Sequence, residues 1–126
     1  METNLLNEID FKWVEKSEKR CLRIAIHGHF NEKNAKVAVS KWREEIFSNI
    51  KQGEKVNIIC NCSKMTRYDP EARKLWQQTI NELKSQIDHL WIISNNKLFK
   101  TAAVTMGFLT KFKIRTADSE SEICIK

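Results

Sequence analysis

The side chains with the greatest chemical potential in this chain are its cysteines and a histidine pair. The cysteines are Cys21, Cys60, Cys62 and Cys124. Cys60 and Cys62 are two residues apart on a predicted strand, so their thiols point to one face and lack the spacing of a CxxC redox or zinc pair. His27 and His29 flank Gly28 near the end of another strand. Two interpretations stay open: reduced core thiols with exposed histidines, which we favour, or a metal site joining both residue types.

No set of residues typical of catalysis is present in the sequence. A Ser-His-Asp order, a glycine-rich phosphate loop and a paired-carboxylate site are all missing from it. Asp69 directly precedes Pro70, so its carboxylate is predicted to cap a helix rather than to act as an acid. We therefore expect no enzymatic activity, no catalytic residues, no cofactor and no metal ion.

Composition indicates a globular protein of one domain. The chain has 126 residues, of which 41% are hydrophobic and 30% are charged, and we expect one domain over 1–126 with its core at about 9–123. No run of 18 apolar residues occurs, and the polar start Met1-Glu2-Thr3-Asn4 does not resemble a secretory signal. These features predict a cytoplasmic protein.

Hydrophobic periodicity predicts an α/β fold. Apolar residues alternate over 9–13 and again over 22–26, which indicates an N-terminal hairpin. Helical spacing follows at 31–50, 69–83 and about 97–111, with short strands at 56–60, 90–93 and 112–116 and a last short helix starting at Asp118 or Ser119. The predicted order is β-β-α-β-α-β-α-β-α, a mostly parallel sheet with an antiparallel hairpin at its edge.

The segment after the third strand is the predicted working surface. The strand Val56–Cys60 is followed by a polar stretch, 61–68, which we expect to be a loop. Asp69-Pro70-Glu71-Ala72 then begins a helix. The carboxyl end of a strand beside a helix N-terminus is a common place for binding in α/β proteins.

The helix predicted at 97–111 is apolar on more than one stripe and basic at its ends. The segment from Lys97 to Arg115 has five basic and no acidic residues, although the whole chain carries a net charge of only +6. The helix is either well buried under the C-terminal segment, or a face for a partner subunit, an apolar ligand or an anionic membrane surface. The residues of this possible ligand or membrane face are Leu98, Phe99, Ala102, Met106, Phe108, Lys97, Lys100 and Lys111.

The element order and two segments resemble the STAS domain, the fold of sulphate transporters and anti-sigma-factor antagonists. Asn61, Ser63 and Asp69 match an Asp, a Ser and the helix-capping Asp of the family segment. The run 68–73, Tyr-Asp-Pro-Glu-Ala-Arg, and the segment 87–96 are similar to the SpoIIAA-like branch, which is of STAS/Sec14 type. The resemblance covers about 11–123.

The resemblance implies a regulatory module without enzymatic activity that binds a protein partner. The partner-binding residues it suggests are Ser63, Thr66, Arg67, Tyr68, Asp69, Glu71 and Arg73. In the family a kinase phosphorylates a serine of an Asp-Ser-Ser-Gly turn, but Pro70 and Glu71 stand at those serines here. We therefore expect no phosphoserine switch. A carrier or sensor of an apolar or lipid-like ligand is the alternative, a homodimer is compatible with either, and nucleic-acid binding is disfavoured because exposed aromatic platforms are lacking.

Overall fold

The computed structural model describes residues 9–123, and they form five strands and three helices. The strands are β1 (Ile9–Lys16), β2 (Lys19–Phe30), β3 (Val56–Tyr68), β4 (Ile87–Ile93) and β5 (Ile114–Ala117). The helices are α1 (Glu32–Asn49), α2 (Pro70–Leu83) and α3 (Lys97–Thr110), with short 3-10 turns at Lys84–Gln86 and Glu120–Glu122.

The strands are arranged in one sheet in chain order, β1-β2-β3-β4-β5. β1 and β2 are antiparallel, and all the other pairings are parallel. Each parallel crossover steps to the next strand in the same direction, so right-handed connections place every crossover helix on one face of the sheet. The buried residues of all three helices indeed share one cluster with Leu22, Ile58 and Leu90. The predicted α/β class, the order of the elements as far as β5 and the antiparallel edge are confirmed.

The packing of α1 and α2 against the sheet follows the predicted stripes. Trp42 of α1 is fully buried, and its ring centroid lies 4.7 Å from that of Trp76 in α2. Phe30, at the end of β2, meets the Trp76 ring edge-on at 5.5 Å. Three aromatic side chains from three elements therefore fix the helices over the carboxyl end of β2, beside the predicted working surface.

The polar stretch 61–68 is strand rather than loop, so that prediction was wrong. β3 has 13 residues and pairs with β2 as far as Tyr68, opposite Phe30. The register shifts twice in this part, between Ala25 and His27 and between Gly28 and His29, and β3 supplies the extra residue each time. Such bulges bend a strand and re-aim its side chains. β3 extends beyond β4, because the pairing of the two strands ends at Asn61. Residues 62–68 therefore form a free sheet edge, and the bulges and charged side chains there oppose pairing with another chain.

The C-terminal helix is the other element that differs from the prediction. Only the 3-10 turn Glu120–Glu122 is found where a short helix was expected. Residues 124–126, which include Cys124, lie outside the described residues, and so does the N-terminal segment Met1-Glu2-Thr3-Asn4. A turn of three residues suffices to bring Ile123 onto the second face of the sheet. There it packs with Cys21, Ile59, Ile93 and Ala117.

Candidate functional site

A histidine, an arginine and an aspartate meet where β2 and β3 end and α2 begins. His29 Nε2 lies 2.7 Å from Asp69 Oδ1, and the Arg67 guanidinium lies 3.4 Å from His29 Nδ1. Because a guanidinium only donates hydrogen bonds, His29 Nδ1 accepts from Arg67, and the Nε2–H group of His29 donates to the Asp69 carboxylate. The three side chains are partly exposed and hold one another in place.

The side chain of Asp69 does not cap α2, contrary to the prediction. Asp69 occupies the N-cap position with extended backbone, and its main-chain oxygen accepts from the Arg73 N–H at 3.1 Å. Its carboxylate turns to His29 instead, and no hydrogen bond joins it to the helix N–H groups. Pro70 still stands at the first helical position, as the sequence indicated.

The seven residues predicted to bind a partner do not form one surface. Thr66, Arg67 and Glu71 are exposed, and Asp69 is half-buried beside them. Tyr68 and Arg73 turn toward the helices, where both line a small apolar cavity and Tyr68 packs on Phe99 at 5.6 Å. Ser63 lies apart from them, because its N–H and hydroxyl both bond Asn61 Oδ1, at 2.9 and 2.6 Å, in a polar groove that His27 also lines. We define the corner surface as His29, Thr66, Arg67, Asp69 and Glu71.

α3 exposes four large apolar side chains, so the interpretation of this helix as well buried is wrong. Leu98 is 76% exposed and Phe108 is 81% exposed. Val104 and Leu109 are exposed as well, and the four together are called the outer face of α3. Within the helix only Ala103, Met106 and Thr110 are buried. The side chain of Asn96 caps the start of the helix, accepting from the Leu98 and Phe99 N–H groups at 2.8 and 3.2 Å.

The eight residues predicted for the ligand or membrane face of α3 differ in their exposure to solvent. Leu98, Phe108, Lys97 and Lys111 point to solvent, whereas Met106 is buried and Ala102 half-buried at the cavity. Lys100 pairs with Asp118, an acidic residue three positions beyond the basic segment considered above. Sequence reasoning therefore placed the apolar surface on the correct helix but did not resolve which stripe of it faces outward.

The apolar cavity lies between the sheet, α2 and α3 and has a volume of about 50 Å³. Cys60 and Cys62 point into it from β3, and their sulfurs are 3.8 Å apart, which confirms that the two thiols share a face. Hydrogen bonding to Cys62 and burial raise the pKa of the Cys60 thiol well above its ordinary value. Cys21, Cys60 and Cys62 are all free and buried, in agreement with the favoured interpretation of core thiols.

The described residues do not bring these cysteines together with the histidines, as the alternative metal site would require. His27 lines the groove with Asn61 and Ser63, on the face of β3 opposite to Cys60 and Cys62. His29 is bonded to Asp69 at the corner. Among residues 9–123, no group of three or more His, Cys, Asp or Glu gathers closely enough to hold a metal ion.

A partly buried hydrogen-bond network links the C-terminal turn to the sheet, and the sequence analysis did not predict it. The Glu120 carboxylate accepts from Arg23 Nε at 2.9 and 3.1 Å and from the Asn61 side-chain amide. Lys16 Nζ donates to the Glu120 main-chain oxygen at 3.3 Å. Arg23 and Glu120 are separated by 97 residues, so no local pattern in the sequence indicates their contact.

Removing this carboxylate is expected to destabilise the domain. We expect Glu120→Ala to lower the free energy of unfolding by about 1–2 kcal/mol, because it leaves the Arg23 guanidinium and the Asn61 amide without their acceptor. Urea denaturation measures the change, with Ser121→Ala, an exposed neighbour in the same turn, as the control. Equal stability of the two variants would show that the turn is not held by this network.

Comparison with known proteins identifies the class of fold to which this structure belongs. No protein-family model matches the sequence, and no curated protein matches it. Solved structures do match. An uncharacterised protein of the DUF3478 family with a SpoIIAA-like fold, from Shewanella loihica PV-4, superposes with a TM-score of 0.72 at 10% identity, covering 90% of this chain and 89% of that chain.

Two structures of SpoIIAA also match. The anti-sigma factor antagonist SpoIIAA in its unphosphorylated form gives a TM-score of 0.61 at 14% identity over 90% of this chain and 92% of that chain. The Bacillus cell fate determinant SpoIIAA in its phosphorylated form gives 0.58 at 17% identity over 90% and 95%. The chain therefore has the SpoIIAA-like fold, as the STAS resemblance implied, and at these identities the likeness concerns the fold alone. Within the described chain, no helix has both the length and the apolar character needed to cross a membrane.

Proposed function

We propose that this protein is a regulatory module without enzymatic activity, which binds a protein partner through the corner surface. The observation that carries the proposal is the fixed arrangement of His29, Arg67 and Asp69 at a bulged strand edge. Side chains already held in one geometry lose little conformational entropy on binding. Arg67 is of a type enriched at the energetic centres of interfaces, and it is exposed.

The fold supports a binding role of this kind. SpoIIAA, which shares the fold, is an anti-sigma factor antagonist and has been observed in unphosphorylated and phosphorylated forms. In this chain the α2 start has Pro70 and Glu71, so it offers no hydroxyl at the first two helical positions. Glu71 supplies a permanent negative charge there, and the proposed module therefore binds without a phosphoserine switch.

Charge reversal at the corner is the test of this proposal. We expect Arg67→Glu to weaken capture of the partner from a native-host extract by at least about tenfold, because a like charge then faces Asp69 and the complementary charge of the partner is lost. The fraction of captured partner is measured by quantitative mass spectrometry against the wild-type bait.

Lys55→Glu is the matched control, since Lys55 is exposed at the opposite end of the same strand. It should capture the partner as wild type does. Identical protein profiles for wild type and Arg67→Glu would reject the corner as the binding surface.

The outer face of α3 favours a second function, attachment to an anionic bilayer. Exposed Lys97, Lys111 and Lys113 flank the apolar side chains, and each lysine near an anionic surface contributes about 1 kcal/mol. Inserting Phe108 and Leu98 would add about 1.5–3 kcal/mol for each side chain. Together, the electrostatic and apolar contributions predict weak and reversible membrane binding that depends on the salt concentration.

Vesicle sedimentation tests this second function. Wild-type protein should bind phosphatidylcholine vesicles that contain phosphatidylserine, and it should not bind pure phosphatidylcholine vesicles. Phe108→Ser should weaken binding about tenfold, because the apolar side chain no longer leaves water. Phe47→Ser is the control, since Phe47 on α1 is 90% exposed but has no comparable apolar surroundings. Equal binding of both variants, or no binding by wild type, would reject the bilayer as the target.

A further inference from the structure

Sulfur atoms are concentrated around the apolar cavity between the sheet, α2 and α3. Residues 9–123 contain five cysteines and methionines, and four of them line this one cavity: Cys60, Cys62, Met65 and Met106. They come from two elements, β3 and α3, on different sides of the space. The fifth, Cys21, packs on the other face of the sheet. We call the space the sulfur cavity.

The two thiols are spaced as ligands of one metal ion. Their sulfurs are 3.8 Å apart. Two thiolates bound to one ion at about 2.3 Å, with a tetrahedral angle between the bonds, are separated by about 3.8 Å. The strand holds this spacing, because residues two apart on a strand project to the same side. Little rearrangement of β3 is therefore needed to bring both sulfurs to one ion.

The donor set selects a soft ion. Thioethers favour Cu(I), whereas zinc takes thiolate, imidazole or carboxylate ligands and would need two more of these beside the cysteine pair. The residues that line the cavity include neither histidine nor aspartate nor glutamate. The lining is otherwise apolar, apart from Tyr68 and Arg73. A volume of about 50 Å³ holds a bare ion without its hydration shell.

Charge also favours a monovalent ion. Two thiolates and one Cu(I) carry a net charge of −1, and a buried net charge is costly unless a partner offsets it. Arg73, which carries a positive charge, is among the residues that line the same cavity and would supply the compensating charge. A divalent ion would form a neutral complex with the two thiolates, so the positive charge of Arg73 would then have no counterpart at the site.

We propose that the sulfur cavity binds one Cu(I) ion through the thiolates of Cys60 and Cys62 and the thioethers of Met65 and Met106. Cu(I) replaces the two thiol protons, which leave to solvent, and no electron is transferred. The site stands independently of the partner proposed for the corner surface. It would make this chain a copper-responsive or copper-carrying module.

Anaerobic competition with a chromogenic Cu(I) chelator, bicinchoninate, tests the proposal on the reduced full chain. Wild-type protein should withdraw one equivalent of Cu(I) from the chelator. Cys60→Ala and Cys62→Ala should each weaken binding at least about 100-fold, since loss of even an outer-shell contact costs up to that factor. Met106→Leu, which nearly conserves volume, should weaken it about tenfold while leaving the circular dichroism spectrum unchanged.

The remaining cysteines are the controls. Cys21→Ala and Cys124→Ala should bind Cu(I) as wild type does, and X-ray absorption should give sulfur neighbours only, at about 2.3 Å. Three results would overturn the proposal: the lack of a complex of one ion to one chain in wild type, an equal loss in Cys21→Ala or Cys124→Ala, and nitrogen or oxygen neighbours around the copper. The methionine variant keeps the test decisive even if a cysteine variant fails to fold.

Discussion

Replacing Trp42 by alanine is expected to lower the free energy of unfolding by about 3–5 kcal/mol, the largest effect of any substitution considered for this domain. Trp42 has no exposed surface, and its ring packs on Trp76, which in turn meets Phe30. Truncation therefore removes a ring contact between α1 and α2 and leaves a cavity over the sheet. Single domains typically have stabilities of about 5–15 kcal/mol, so a loss of this size should bring the variant much closer to unfolding.

Phe47 provides the matched comparison for this substitution. It is an aromatic residue on the same helix, five positions later, but it is 90% exposed. Phe47→Ala should change the free energy of unfolding by no more than about 0.5 kcal/mol. Urea denaturation followed by circular dichroism measures both. Similar midpoints for the two variants would contradict the packing of α1 and α2 described above.

Gly107→Val is expected to give the second-largest loss of stability, about 1–3 kcal/mol. α3 approaches the start of β5 through this glycine, and a Cβ atom there would lie 3.0 Å from the Phe112 main-chain oxygen. The Ile114 main-chain nitrogen would be 3.5 Å away. Because backbone atoms cannot turn aside as a flexible side chain does, the helix itself has to shift away from the sheet.

Thr105→Val controls for the introduction of valine into the same helix. Thr105 is exposed two positions earlier, and the change there should stay within about 0.5 kcal/mol. Thermal unfolding of the two variants measures the difference between them. If Gly107→Val were as stable as Thr105→Val, the close approach of α3 to β5 would be wrong.

The elements with strong local signals could be predicted from the sequence. The stripe that includes Trp42 and Ile46 repeats at helical spacing and is bounded by Asn31 and by a turn at Gly53, so α1 was found nearly to the residue. Pro70 marked the start of α2 in the same way. These signals are local, and a local pattern determines where a helix begins and which side it buries.

The second half of β3 escaped prediction because its stability comes from a distant neighbour. The run from Asn61 to Tyr68 is polar and lacks regular alternation, since two bulges interrupt it. It is a strand because β2 is almost equally long and lies beside it, and Gly28 accepts a positive φ of 68° where the register shifts. The length of β2 and the conformation of Gly28 cannot be predicted from the residues of β3.

The sequence suggested where the candidate site lies but not how its side chains are arranged. The end of β3 and the start of α2 were predicted to be the working surface, and the contacts that define the corner join His29 to Asp69 across 40 residues of chain. The Glu120 network on the other side of the sheet spans an even longer separation. For α3, composition revealed the excess of apolar residues, but only the docking of Met106 and Gly107 decides which stripe is left outside.

The claim on which the rest depends is that the corner surface contacts another protein, and site-specific photo-crosslinking in the native host tests it most directly. A photo-reactive p-benzoylphenylalanine is placed at Thr66, which is exposed at the second bulge of β3, or at Lys55 at the far end of the same strand. We expect irradiation to yield one dominant protein adduct from position 66 that is absent from position 55 and suppressed by Arg67→Glu. No adduct at position 66, or the same adducts at both positions, would contradict the proposed role of this surface.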